Sequence, residues 1–157
     1  MNPNIIAGLI KNIYPRFSMY SFANRLKLQK FTYFLQHGFD LNLGYEFNWF
    51  IYGPYCIELT KEGFQVDFDE AKPLRFADEE AQKRFLKFIT FFSKNKDNED
   101  WLEIASCLHF LRKLNPSLSE EEIIKIIKGK RKGEFIEKEK LIKKILDELK
   151  QGGLIVK

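Results

Sequence analysis

The chain has 157 residues, 45% of them hydrophobic and 31% charged, with 26 basic against 22 acidic side chains for a formal net charge of +4. That length suits one domain, residues 1–157, and the apolar content excludes disorder over most of it. No apolar run approaches the roughly 20 residues that span a bilayer, and so small a net charge does not by itself single out nucleic acid as a partner.

The N-terminal stretch MNPNIIAGLIKNIYPRF has no basic segment before its apolar residues and no small-residue cleavage site after them, so no signal peptide and a cytoplasmic location are expected. Cys56 and Cys107 are too few for a disulfide framework and read as buried thiols. The 16 Phe supply ample material for a core or an interface.

Ile5, Ile6, Leu9, Ile10 and Ile13 recur at helical spacing between Pro3 and Tyr14, and Pro15 stops that helix. Ser18 or Ser21 caps a second helix with Phe22, Leu26, Phe31, Phe34 and Leu35 on its buried stripe and Gly38 as its stop. From Tyr45 to Tyr52 the period changes to two, which predicts a strand ended by Gly53 and Pro54. A short helix from Ile57 to Glu62 follows, closed by Gly63. VDFDEAKPLRF then reads as an edge strand or extended loop that could pair with the first strand.

Asp78 opens a helix that buries Phe85, Phe88, Ile89 and Phe92, and KNKDNED is a polar connection. The next helix carries Trp101, Ile104, Ala105, Leu108 and Leu111, is apolar on more than one side, and is expected at the centre before ending at Asn115 and Pro116. Ser119 and Glu122 have capping-box spacing for a helix to about Lys128. After the basic turn GKRKG, a last helix carries Leu141, Ile142, Ile145, Leu146 and Leu149. Gly152 and Gly153 end it before an expected strand from Leu154 to Val156.

Catalytic chemistry finds little support. His37 precedes a helix-stopping Gly and reads as a cap. His109 lies two residues from Cys107 on a helix, where the two point to different faces. The set His37, Cys56, Cys107 and His109 lacks zinc-ligand spacing. The carboxylates at Asp67 and Asp69, and at Glu120 to Glu122, read as solvated or capping groups. There is no phosphate loop and no dinucleotide fingerprint. No metal and no cofactor is expected.

Nucleic-acid binding is the alternative. Lys125, Lys128, Lys130, Arg131, Lys132, Lys138, Lys140, Lys143 and Lys144 crowd a segment with only Glu134, Glu137 and Glu139 opposing them. Such a cluster can serve phosphate contacts, and a helix followed by GGLIV resembles a winged-helix ending. Few side chains suited to bidentate base readout accompany it, so contact would be mostly sequence-independent.

LKLQKFTYFLQ followed by FNWFIYGPYCIEL resembles the Panacea antitoxin-domain family, also called SocA-like or phage-associated domains, and its uncharacterised bacterial and archaeal relatives. The matching positions are Leu26, Lys27, Leu28, Gln29, Lys30 and Tyr33 on the helix, and Trp49, Tyr52, Gly53 and Pro54 at the turn, with Glu58 and Leu59 opening the next helix. Tyr55 stands after the Pro where many antitoxin members carry Val or Ile. The resemblance implies a mostly helical domain that binds a protein, a toxin in known members, and it carries over no active site.

The sequence thus predicts a mainly α domain, α+β in the sense of a small sheet: a bundle of six or seven helices, a two- or three-stranded element and a winged-helix-like C-terminal end. The expected function is a non-enzymatic, antitoxin-like binding module whose protein partner is encoded nearby. Its binding groove is expected beside the turn, with Lys27, Gln29, Lys30, Tyr33, Trp49, Tyr52, Gly53, Pro54, Tyr55 and Glu58 as its residues and polar tips exposed to the partner.

Overall fold

The computed structural model describes residues 2–156, and among them seven α-helices and a two-stranded antiparallel sheet follow one another along the chain. Helix α1 (Pro3–Ile10) is capped by the Asn2 side chain, which accepts from the Asn4 amide, with Pro3 in its first turn where no backbone donor is missed. Helix α2 (Phe22–Tyr33) is capped by Ser21, and a π-helical turn, Phe34–Gly38, carries it to the expected Gly38. Strands β1 (Asn48–Phe50) and β2 (Gly53–Tyr55) come next, then α3 (Ile57–Gly63), α4 (Glu79–Ser93), α5 (Glu99–Leu114), α6 (Glu120–Lys128) and α7 (Glu139–Gln151).

Two helices occupy the centre. From Leu28 through Tyr33 every residue of α2 is buried, so this helix has no solvated face there. Helix α5 buries Trp101 through His109 without a break. They pack on each other, β2 packs on both, and α7 and α6 cover α5. Helix α4 is amphipathic, as its spacing predicts, and places Phe85, Phe88 and Phe92 in the core, where Phe31 meets Phe88 and Phe92 edge-on at ring separations of 5.0 and 5.8 Å. The Ser119–Glu122 capping box forms in full at the start of α6.

Four expectations are corrected. The strand expected from Tyr45 to Tyr52 is only three residues long, although Tyr45 and Phe47 are buried and Glu46 and Asn48 exposed in the predicted alternation. Its first part meets a side chain in place of a strand. The Gln36 amide accepts from the Leu43 and Tyr45 backbone amides at 3.1 and 3.0 Å and donates to the Tyr45 carbonyl at 2.6 Å.

Gly53-Pro54, expected to end the strand, instead begins its partner: Asn48 pairs with Tyr55, Trp49 with Pro54 and Phe50 with Gly53. VDFDEAKPLRF therefore forms no hairpin. It is a loop that lies over α1, where Leu74 donates its amide to the Gly8 carbonyl at 2.9 Å and a Cβ on Gly8 would fall 2.4 Å from Leu74 Cγ. Leu154 to Val156 form no strand either. The Leu154 amide turns back onto the Leu149 carbonyl at 2.9 Å, satisfying the end of α7, so the winged-helix-like ending lacks its strand.

Candidate functional site

The motif helix and the turn meet, but in a different sense from the expected one. Lys30 is 1% exposed. Its ammonium donates to the carbonyls of Tyr52 at 2.6 Å and Pro54 at 3.0 Å, both in the hairpin. Gln29 is buried beside it, with its amide donating to the Cys56 carbonyl and to Thr60 Oγ1 at 2.8 Å each, while its carbonyl accepts from the Cys56 amide at 2.8 Å. The turn is thus pinned to α2 by two buried side chains whose polar ends are spent inside the protein.

From the opposite side Lys130, placed by the basic turn, donates to the Ile51 carbonyl at 2.6 Å and lies 4.5 Å over the Trp49 ring. Next to it Arg131 makes a two-pronged contact with Glu103, at 2.9 and 3.3 Å, and covers the Tyr52 ring at 4.8 Å. Ile51, Tyr52 and Pro54 therefore all turn their carbonyls inward to ammonium groups. Gly53 has φ +92, and a Cβ there would stand 2.6 Å from Cys107 Sγ. Only glycine suits both the left-handed backbone and the space.

Burial dominates the titration of this interior. It lowers the Lys30 ammonium to about 8, with Lys130 pushing the same way and Cys107 and Glu103 opposing. It pushes the Cys107 thiol up to about 11 and raises the Glu103 carboxyl, against the pull of Arg131. Tyr33, 1% exposed, hydrogen-bonds His109 Nδ1 at 2.7 Å. Burial raises the Tyr33 phenol and lowers His109 to about 4, so the phenol donates and the imidazole carries its proton on Nε2.

Of the residues expected to line a partner groove, Gln29, Lys30 and Tyr33 thus spend their polar tips inside the protein. Lys27 pairs with Asp97 at 3.1 Å on a different side, near the Tyr14 ring. Pro54 is buried, Trp49 is partly exposed and stacks on Phe110 at 5.9 Å, and Glu58 is on the surface. Tyr52 and Tyr55 are half-buried, and Tyr55 donates to Thr60 Oγ1 at 2.8 Å.

A groove does run along the turn, with a volume of about 300 Å³; the expected Gln29, Lys30, Tyr52 and Tyr55 line it, Tyr33 does not, and its walls are mostly apolar, with Phe22, Phe50, Ile51 and Phe64 among them. Phe22, Phe50, Ile51 and Phe64 are 48%, 41%, 67% and 62% exposed. These four fall outside the quoted motifs or between their matched positions. The signal available in the sequence was that Phe50 stands on the polar side of the strand alternation.

The basic segment is more neutralised than its sequence suggests. Lys130 is buried and Arg131 holds Glu103, while Lys128 and Lys143 both reach Glu139 at 3.0 and 3.1 Å and Lys138 reaches Asp100 at 2.8 Å. Lys125, Lys132, Lys140 and Lys144 are exposed. No group of three metal-ligating side chains occurs among the described residues.

No family model, curated protein or solved structure matches the chain. The resemblance to Panacea domains rests on its two motifs. Among the described residues no helix is long and apolar enough to cross a membrane.

Proposed function

We propose that the chain is a non-enzymatic, antitoxin-like binding module that uses the aromatic groove along the hairpin to hold a protein encoded nearby. The observation that carries this reading is the exposure of Phe22, Phe50, Ile51 and Phe64 around one groove whose floor is pinned by Lys30 and Lys130. Exposed aromatic side chains on a rigid support lose little freedom on binding, which is the usual basis of an interface hot spot. Among the motif residues Gln29 and Lys30 brace the turn and Gly53 shapes it, while Tyr52 lines the groove itself.

The experiment is co-expression of the tagged protein with the product of each adjoining gene, followed by purification in the presence of nuclease. A stoichiometric complex is expected, and Phe50→Ala with Phe64→Ala should abolish it without lowering the thermal midpoint. Absence of a complex with every neighbouring product, or a complex indifferent to both substitutions, overturns the reading. A second reading, DNA binding, is supported by the exposed Lys125, Lys132, Lys140 and Lys144. It predicts an affinity that falls with salt and ignores the groove variants.

A further inference from the structure

On the other side of the Phe50–Tyr55 ridge from the groove lies a second depression of about 400 Å³, which shares those two residues with it. The two rings meet edge-on at 5.4 Å. The character of this recess is opposite to that of the groove, because Glu46, Glu58 and Glu62 line it. Glu58 has a loose contact with Lys61 at 3.7 Å, and among the described residues neither Glu46 nor Glu62 has an ion pair.

Carboxylates gathered on a surface do not alone define a site. Here the hydroxyl of Tyr45, a residue 6% exposed, lies buried against the Glu62 carboxylate, and beyond each other neither this hydroxyl nor Glu62 Oε2 has a hydrogen-bond partner. Both belong to residues that line the recess. The phenol is held protonated by its burial and by the neighbouring Glu62 carboxylate. The recess therefore offers acceptor lone pairs and negative charge at a buried wall, a combination that penalises an apolar or anionic occupant and is relieved by a cation with several donors.

Building on the proposed groove, we infer that the occupant is a basic peptide segment: a bulky apolar side chain enters the groove while an arginine of the same segment crosses the Phe50–Tyr55 ridge into the Glu46–Glu58–Glu62 recess. Arginine fits better than lysine. Its planar fork can address the Glu62 carboxylate and the Tyr45 oxygen together and can lie on the flanking aromatic rings, which a compact ammonium does not do. The partner class is a protein with an exposed apolar–arginine segment, and an acidic peptide is disfavoured by the same carboxylates.

The test is selection from a random dodecapeptide display library on the immobilised full chain. Enriched sequences should join a bulky apolar residue to an arginine. A synthetic peptide of the enriched sequence should bind at least tenfold more weakly to Glu58→Gln/Glu62→Gln, and to the same degree when its arginine is replaced by citrulline. Glu46→Gln, at an exposed position, should weaken binding in the same direction and serves should Glu62→Gln disturb Tyr45. Peptides enriched for apolar residues without arginine or lysine, or bound equally by the glutamine variants, overturn the inference and leave the groove standing if Phe64→Ala weakens them. Failure to enrich any sequence overturns both.

Discussion

Lys30 is a charged side chain used as an internal brace, and its chemistry makes that use measurable. Its folded pKa of about 8 lies below the ordinary lysine value of 10.5, so between these limits the unfolded chain binds more protons than the folded one. Stability should therefore rise with pH across that window. We expect the wild type to gain about 2 kcal/mol relative to Lys30→Met between pH 7.5 and 10, read from urea midpoints at the two pH values. An equal response of the two proteins would show that Lys30 titrates as a solvated amine. His109 runs in the same algebraic sense in acid. With a folded value of about 4 against 6.5, it binds protons in the unfolded chain first, so stability is complete above pH 6.5 and is lost as pH falls towards 4. The loss attributable to His109 should approach about 3 kcal/mol, and a flat response of wild type relative to His109→Gln over that range would contradict it.

The hairpin and the basic turn are elements whose backbone explains their sequence. Gly53→Ala forces a side chain into a left-handed conformation and against Cys107, so a loss of about 2–4 kcal/mol is expected in chemical unfolding, with the groove disturbed as well. The basic turn stores strain openly, since Arg131, Lys132 and Gly133 are all left-handed, at φ 48, 59 and 83. That run aims Lys130 and Arg131 at the hairpin, and only Gly133 adopts it freely. Lys132 is exposed, so Lys132→Gly relieves strain at the cost of a more flexible unfolded chain and should stabilise by about 0.5–1 kcal/mol. A destabilised glycine variant would mean that the lysine stem holds the turn. The element boundaries were legible where a cap or a period set them, as at Asp78, Ser119 and Ser21. They were not legible where the competing partner was distant in sequence, as when Gln36 takes the backbone groups expected to belong to a longer strand.

At the scale of the whole molecule, the mainly helical architecture was readable because apolar periods and caps are local properties. The assignment of charges to surface or interior was not. Lys30 and Lys130 look alike in a chain rich in lysine, and their burial depends on carbonyls that the hairpin brings from positions 51, 52 and 54. The same non-local pairing limits what the net charge of +4 can do. Within the basic segment, Lys128, Arg131, Lys138 and Lys143 face carboxylates, and phosphate would have to displace those before using them. That leaves Lys125, Lys132, Lys140 and Lys144 as the exposed cations most ready for a phosphate backbone. Four contacts correspond to a slope of log affinity against log salt of about 3.6 at most. Duplex binding measured by fluorescence anisotropy from low to physiological salt should stay within that slope, ignore base sequence, and nearly vanish when all four are changed to glutamine. A steeper slope, or one that survives the quadruple variant, would mean that the intramolecular pairs open to phosphate. The basic helices would then displace the aromatic groove as the functional face.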